Sequence, residues 1–299
     1  MVTGSDLLER QRELDHVSAL VAAARRGSGV VVLIEGPGGI GKTGLLTAAA
    51  AQADAAGLLV LSARGSELER ELPFGIVRQL FERLVTGAQP AVQLNGPSRQ
   101  AAVLFEDTVL FEEAVVSPGS DPSFAVLHGL YWLLYDLSAR QPVMLTVDDL
   151  QWADIPSLRW LVYLLPRLDG LRLALCAASR PPDYGDSNRY FVEVLSTDRA
   201  TTVLRPAPLT EHAATTLLRN VLPETAEQTF CKACHTATGG NPLLLRELAG
   251  VVQAEGLIPN EAGIPRLWEI GARTLERRVG LRLEQLRRSF GPRRGSSQA

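Results

Sequence analysis

Apolar positions along this chain follow two alternating patterns. Val30-Val31-Val32-Leu33-Ile34 is a continuous β-branched run that stops at a glycine-rich turn, and such a run reads as a strand buried on both faces. Leu58-Leu59-Val60-Leu61, Val143-Met144-Leu145-Thr146-Val147 and the stretch 171–178 repeat that signature. A helix is expected from Lys42, and the stretches 73–85 and 124–139 carry apolar residues at helical spacing. Strands alternating with helices predict an α/β domain built on a doubly wound parallel sheet.

Between about 86 and 122 several Pro, Gly and Ser interrupt the pattern, which reads as an irregular insertion. After Pro206-Ala207-Pro208 the patterning is helical, starting at Leu209-Thr210-Glu211-His212. The expected organisation is therefore a sheet domain over 1–206, a smaller all-helical domain over 207–260, and an Arg-rich helix with a disordered tail over 261–299. No internal repeat is visible.

Composition changes this picture little. The 299 residues are 46% hydrophobic and 21% charged, average for a globular protein, which argues against disorder or a membrane bundle. No apolar run approaches the roughly 18 residues of a membrane span. The N-terminus lacks a basic flank followed by an apolar stretch, so no secretory signal is read and a cytoplasmic location is expected. Three cysteines, Cys176, Cys231 and Cys234, are too few for a disulfide framework and suit a reducing compartment. The net charge of −3 is uneven: from Arg266 to Ala299 nine Arg face three Glu, a local +6 that leaves −9 for the rest. An acidic body offers no electrostatic footprint for nucleic acid.

The chemistry is concentrated in Gly36-Pro37-Gly38-Gly39-Ile40-Gly41-Lys42-Thr43, which follows a strand and opens a helix, the context in which this spacing cradles phosphates. Glycines turn successive N–H groups inward, Lys42 reaches the β- and γ-phosphates, the Thr43 hydroxyl ligates Mg²⁺, and the helix N-terminus adds partial positive charge. The nucleotide-binding run is taken to include Gly44. An accidental match arises in roughly one chain in a hundred of this length, and the flanking strand and helix make it rarer.

Asp148-Asp149 closes the strand at 143–147, at the sheet edge where open α/β sheets bind ligands. Alone, such a pair would start a loop or cap a helix. Downstream of a phosphate loop, Asp148 takes the Mg²⁺-holding role and Asp149 orients or deprotonates an attacking water. Arg180 follows the strand at 171–178 and is either a γ-phosphate contact or a surface arginine beside the Pro181-Pro182 turn.

The run Val147-Asp148-Asp149-Leu150-Gln151-Trp152-Ala153-Asp154 with Ser157-Leu158-Arg159-Trp160-Leu161 closely resembles the ATPase module of the large ATP-binding LuxR-family transcriptional regulators, members of the STAND class of P-loop ATPases. Leu72-Pro73-Phe74-Gly75-Ile76-Val77-Arg78-Gln79-Leu80-Phe81 and Gly239-Gly240-Asn241-Pro242-Leu243-Leu244-Leu245 extend the resemblance over about residues 5–260. It implies that Leu7-Leu8-Glu9-Arg10-Gln11-Arg12-Glu13 matches an upstream motif packing near the adenine, with Glu9 where the family has Gly. It implies that Pro242 closes over the base from a lid domain and that Arg180 senses the γ-phosphate. The winged-helix, sensor and helix-turn-helix parts of such regulators have no counterpart, so the chain reads as a truncated member without a DNA-binding domain.

Competing signals are weaker. Cys231-Lys232-Ala233-Cys234-His235 matches a haem-attachment pattern, but the stretch 225–238 reads as a helix with its thiols one turn apart in the core, and no second Cys/His pair completes a zinc site. Arginines over 273–288 alternate with leucines, as on a helix with one solvated face. Trp152 and Trp160 fall eight apart, as a core-facing stripe would. The expectation is a P-loop NTPase binding ATP and Mg²⁺ that hydrolyses slowly as a signalling switch, with self-association or a regulatory protein as partner. The alternatives are a nucleotide-binding interaction module without hydrolysis and, less favoured by the paired carboxylates, a small-molecule kinase.

Overall fold

The computed structural model describes residues 7–86, 92–105, 122–181, 188–223 and 225–270. Much of the expected insertion, and the Arg-rich segment with its tail from 271 onward, lie outside the described residues. The chain divides into two compact units, Met1–Pro206 and Ala207–Ala299. Among the described residues no helix is long and apolar enough to cross a membrane.

The first unit is a parallel sheet of five strands, β1 (Val30–Glu35), β2 (Leu59–Arg64), β3 (Val143–Asp148), β4 (Leu173–Ser179) and β5 (Thr201–Leu204), in the order β2-β3-β4-β1-β5. Because successive side chains on a strand point to opposite faces, each buried run feeds two cores. Val31 and Leu33, Val143, Leu145 and Val147, and Leu173 and Leu175 pack with α3 (Gly75–Val85), α4 (Pro122–Arg140), α5 (Ile155–Leu164) and α6 (Arg189–Thr197). Val32 and Ile34, Met144, and Ala174 and Cys176 pack with α1 (Gln11–Arg25) and α2 (Lys42–Ala55). A sheet clad on both faces by helices is the doubly wound α/β fold that the hydrophobic pattern predicts.

Two stretches that carry the family resemblance are joined through one side chain. Asp154 is 3% exposed; its Oδ1 accepts from the N–H groups of Phe74 and Ser157, each at 2.8 Å, and its Oδ2 from that of Ile76 at 3.2 Å. It caps α5 while receiving the N-terminus of α3, which satisfies donors that would otherwise be orphaned. Trp160 is fully buried, edge-on to Phe81 at 5.5 Å. Trp152 does not share its stripe: it sits in the 3-10 turn before α5 begins, half-buried, with the Arg70 guanidinium 5.9 Å from its ring centroid.

The second unit packs α7 (Glu211–Arg219), α8 (Gln228–Thr238) and α9 (Pro242–Ala254) on one another. Thr210 caps α7, and Asn241 caps α9 by accepting from the N–H groups of Leu243 and Leu244, with Pro242 as the first helical residue. Between α8 and α9, Gly239 and Gly240 have φ of 58° and 71°, and the Gly240 carbonyl accepts from the Leu209 N–H at 2.9 Å.

Candidate nucleotide site

All four chemistry-bearing segments emerge at the C-terminal edge of the sheet. Register fixes their heights: Arg64 of β2 lies opposite Asp148 of β3, and Glu35 of β1 opposite Ser179 of β4. The phosphate loop leaves β1 with the Gly36 N–H donating to the Ser179 carbonyl at 3.2 Å. Gly39 and Gly41 have φ of 84° and 104°, a region closed to most side chains, which bends the loop so that it runs into α2. Ile40 is 1% exposed and pins the loop to the core.

Lys42 is buried, and its ammonium donates to the carbonyls of Gly36 and Pro37 at 2.8 and 3.0 Å. Burial pushes its pKa down; Arg180 adds to that push, while Asp149 and Asp148 oppose it. Across 105 positions of sequence, the Thr43 hydroxyl donates to Asp148 Oδ2 at 2.8 Å. Arg180 lies against the loop, because a Cβ placed on Gly38 would come within 3.8 Å of its Cζ. Lys42, Thr43, Asp148, Asp149 and Arg180 are thus brought into one neighbourhood. Pro242 belongs to the second unit, where it opens α9.

Asp149 has φ of 50°, and both of its carboxylate oxygens have partners. Oδ2 accepts from Arg64 Nε and Nη2 at 3.1 and 2.9 Å, and Oδ1 from Gln151 Nε2 at 2.9 Å. These hydrogen bonds and the Asp149 charge hold the Arg64 guanidinium above its ordinary pKa. Neither Arg64 nor Gln151 was assigned a role by the sequence. The sequence places Arg64 at the end of a strand, but that this strand pairs with the one carrying the acidic pair is visible only in the fold.

Arg10 is 3% exposed and donates through Nη2 to the Ile40 carbonyl at 3.1 Å, so the upstream motif reaches the phosphate loop through a main-chain carbonyl. Desolvation lowers its pKa. Glu9 has φ of 55°, a left-handed conformation that favours glycine. Gly44 faces Leu7 of the same motif, whose Cδ2 would lie 3.1 Å from an added Cβ.

These residues fit a magnesium nucleotide. A hydroxyl and a carboxylate meeting at one point are the hard oxygen donors that Mg²⁺ takes, and α2 starts without a side-chain cap, leaving its first-turn N–H groups directed at the loop.

The profile of a family described as AAA ATPase domain matches residues 6–176. No curated protein matches. Among solved structures, Cdc6p from Pyrobaculum aerophilum aligns at TM-score 0.52 and 14% identity over 84% of this chain and 63% of its own. A chain of the E. coli MS115-1 HORMA:CdnC:Trip13 complex aligns at 0.53 and 12% over 90% and 89%. The Aeropyrum pernix Orc1 protein in complex with DNA aligns at 0.48 and 16% over 88% and 65%. The chain thus spans just under two thirds of the length of the Orc1 and Cdc6p chains. At these identities the two alignments above 0.5, to Cdc6p and to the complex chain, show the fold alone, that of a P-loop NTPase.

Proposed function

This chain belongs to the AAA ATPase domain family, and from that premise we propose that it binds Mg-ATP and hydrolyses it slowly to ADP and phosphate as a signal-transduction switch. The observation that carries the reading is the 2.8 Å contact between Thr43 and Asp148 beside the buried Lys42 ammonium. Lys42 and the α2 N–H groups would hold the phosphates, Thr43 and Asp148 the metal, and Arg180 the γ-phosphate. Bound Mg²⁺ supplies charge neutralisation on the phosphate oxygens. Asp149 accepts a proton from the attacking water at whichever of its oxygens is released. Arg64 is the partner suited to let go, since its side chain is 69% exposed and an exposed ion pair contributes little. Removing the γ-phosphate takes away contacts that favour one conformation, which is a population shift.

The resemblance of 147–154 to the LuxR-family regulators supports placing this switch in the regulatory ATPase module of such a protein, in the cytoplasm, with self-association or a regulatory protein as its partner. Arg10 and Pro242 are carried as base-side residues on that resemblance, with 207–260 as the lid and 261–299 as an Arg-rich extension. Basal turnover is expected on the order of 10⁻⁴ to 10⁻² s⁻¹, as for P-loop switches awaiting a partner. A second reading, a nucleotide-binding interaction module without hydrolysis, is favoured by the engagement of both Asp149 oxygens. Phosphate release separates the two. On the first reading wild type turns over and Asp149→Asn binds Mg-ATP normally but falls by about 10²-fold or more; equal rates for the two proteins would remove Asp149 from the chemistry.

A further inference from the structure

Gln151 stands between the two strand ends that carry Asp149 and Arg180, and it is 7% exposed. Its Oε1 accepts from the Arg180 N–H at 3.0 Å, while its Nε2 donates to Asp149 Oδ1 at 2.9 Å. The orientation of the amide is fixed by the main-chain N–H, which can only donate and so faces the amide oxygen.

The turn containing Gln151 has its own fastening. Asn188 is fully buried and donates through Nδ2 to the Gln151 carbonyl at 3.2 Å and, more closely, to that of Ala153. The main chain of this turn is therefore fixed by another residue, and the Gln151 side chain is left to join two positions that both bear on the phosphate. Arg180 in turn lies against Gly38 of the phosphate loop. A displacement at the end of β4 reaches the Asp149 carboxylate through one rigid amide with no solvent-exposed intermediate.

We propose that Gln151 is a positioning residue for hydrolysis, tying the Asp149 carboxylate to the main chain of Arg180 so that the base is aligned when Arg180 engages the γ-phosphate. The inference rests on the ATPase reading above. Gln151 acts through Asp149 and touches neither nucleotide nor metal, so its removal is expected to lower kcat and to leave nucleotide affinity intact.

The test uses the full chain with Gln151→Leu, which removes both hydrogen bonds, and Gln151→Glu, which keeps shape and the acceptor for Arg180 but sets a second carboxylate against Asp149. Mg-ATP affinity, thermal midpoint, kcat and KM are measured for each. The expected result is Mg-ATP binding within about twofold of wild type and a kcat reduced about tenfold or more in Gln151→Leu. Gln151→Glu keeps the acceptor for the Arg180 N–H but can no longer donate to Asp149 Oδ1, so its kcat should fall likewise with Mg-ATP affinity unchanged. A merely structural glutamine would not separate kcat from affinity and thermal midpoint. If wild type turns over and Gln151→Glu keeps its kcat, the positioning role is wrong while the ATPase reading stands. If kcat, affinity and thermal midpoint fall together in both variants, the role is structural and the proposal fails. If wild type binds Mg-ATP without releasing phosphate, the hydrolytic reading fails and takes this inference with it.

Discussion

Gly65 follows β2 directly, and its N–H donates to the Asp148 carbonyl at 2.9 Å. A Cβ at this position would stand 2.4 Å from the Asp149 carbonyl oxygen, 3.0 Å from the Trp152 carbonyl carbon and 3.1 Å from the Ala153 nitrogen. All three are main-chain atoms, so no flexible side chain can swing aside. Ordinary contact begins near 3.4 Å, and the two backbones must part by about 1 Å in Gly65→Ala. Overpacking of this kind costs about 1–3 kcal/mol, or roughly 2–12 °C in thermal midpoint for a unit of this size. The segment displaced is the one that presents Asp149, and a misplacement of about 1 Å is worth on the order of 10²-fold in rate. Thermal denaturation and single-turnover phosphate release on the same preparation measure both effects. Gly250→Ala provides the opposite sign: that glycine lies inside α9 with open space around it, and alanine there should stabilise the helix by about 0.5–1 kcal/mol. A Gly65→Ala protein with wild-type midpoint and wild-type phosphate release would refute the claim that this close approach sets the position of Asp149.

Arg64→Ala frees Asp149 Oδ2, so basal phosphate release should rise about threefold while stability changes by less than about 1 kcal/mol, the ion pair being largely solvated; a lower rate would show that Arg64 assists turnover. Burial pushes Cys176 and Cys234 each up to about 12 from an ordinary value of 9.0, so the folded chain keeps protons that the unfolded chain releases between those values. Their contribution to stability is complete below about pH 9 and declines above it, by up to about 1.4 kcal/mol per pH unit per thiol. Urea titrations at pH 8 and 10, compared with those of a Cys176→Ala, Cys234→Ala variant, should show the steeper alkaline loss in wild type.

The sequence disclosed what local pattern encodes. Strands β1, β3 and β4 were legible because each is a continuous apolar run buried between two layers of helices, and β2 because it opens on the apolar run Leu58 to Leu61, although it lies at the sheet edge with Ser62 and Arg64 exposed. β5, Thr201-Thr202-Val203-Leu204, was missed because it is four residues long, half polar and at the sheet edge. Strand order was not legible either: that β4 lies between β1 and β3 is a tertiary fact, with no trace in periodicity. The phosphate loop and the acidic pair announced themselves by residue type and spacing. Arg64, Gly65 and Gln151 did not, since an arginine ending a strand, a loop glycine and a buried glutamine acquire meaning only when parallel register sets them beside Asp149. Trp152 shows the converse error, a helical spacing extended one turn past the true helix start.

The central claim is that the Gly36 to Thr43 loop holds the phosphates of Mg-ATP, and equilibrium titration of the full chain with a fluorescent ATP analogue in Mg²⁺, wild type against Lys42→Ala, tests it most directly. The buried ammonium is held by the loop's own Gly36 and Pro37 carbonyls, and its loss should weaken binding at least about tenfold, since hydrogen bonds to charged groups contribute about 1.5–3 kcal/mol. Equal affinities for the two proteins would contradict the account.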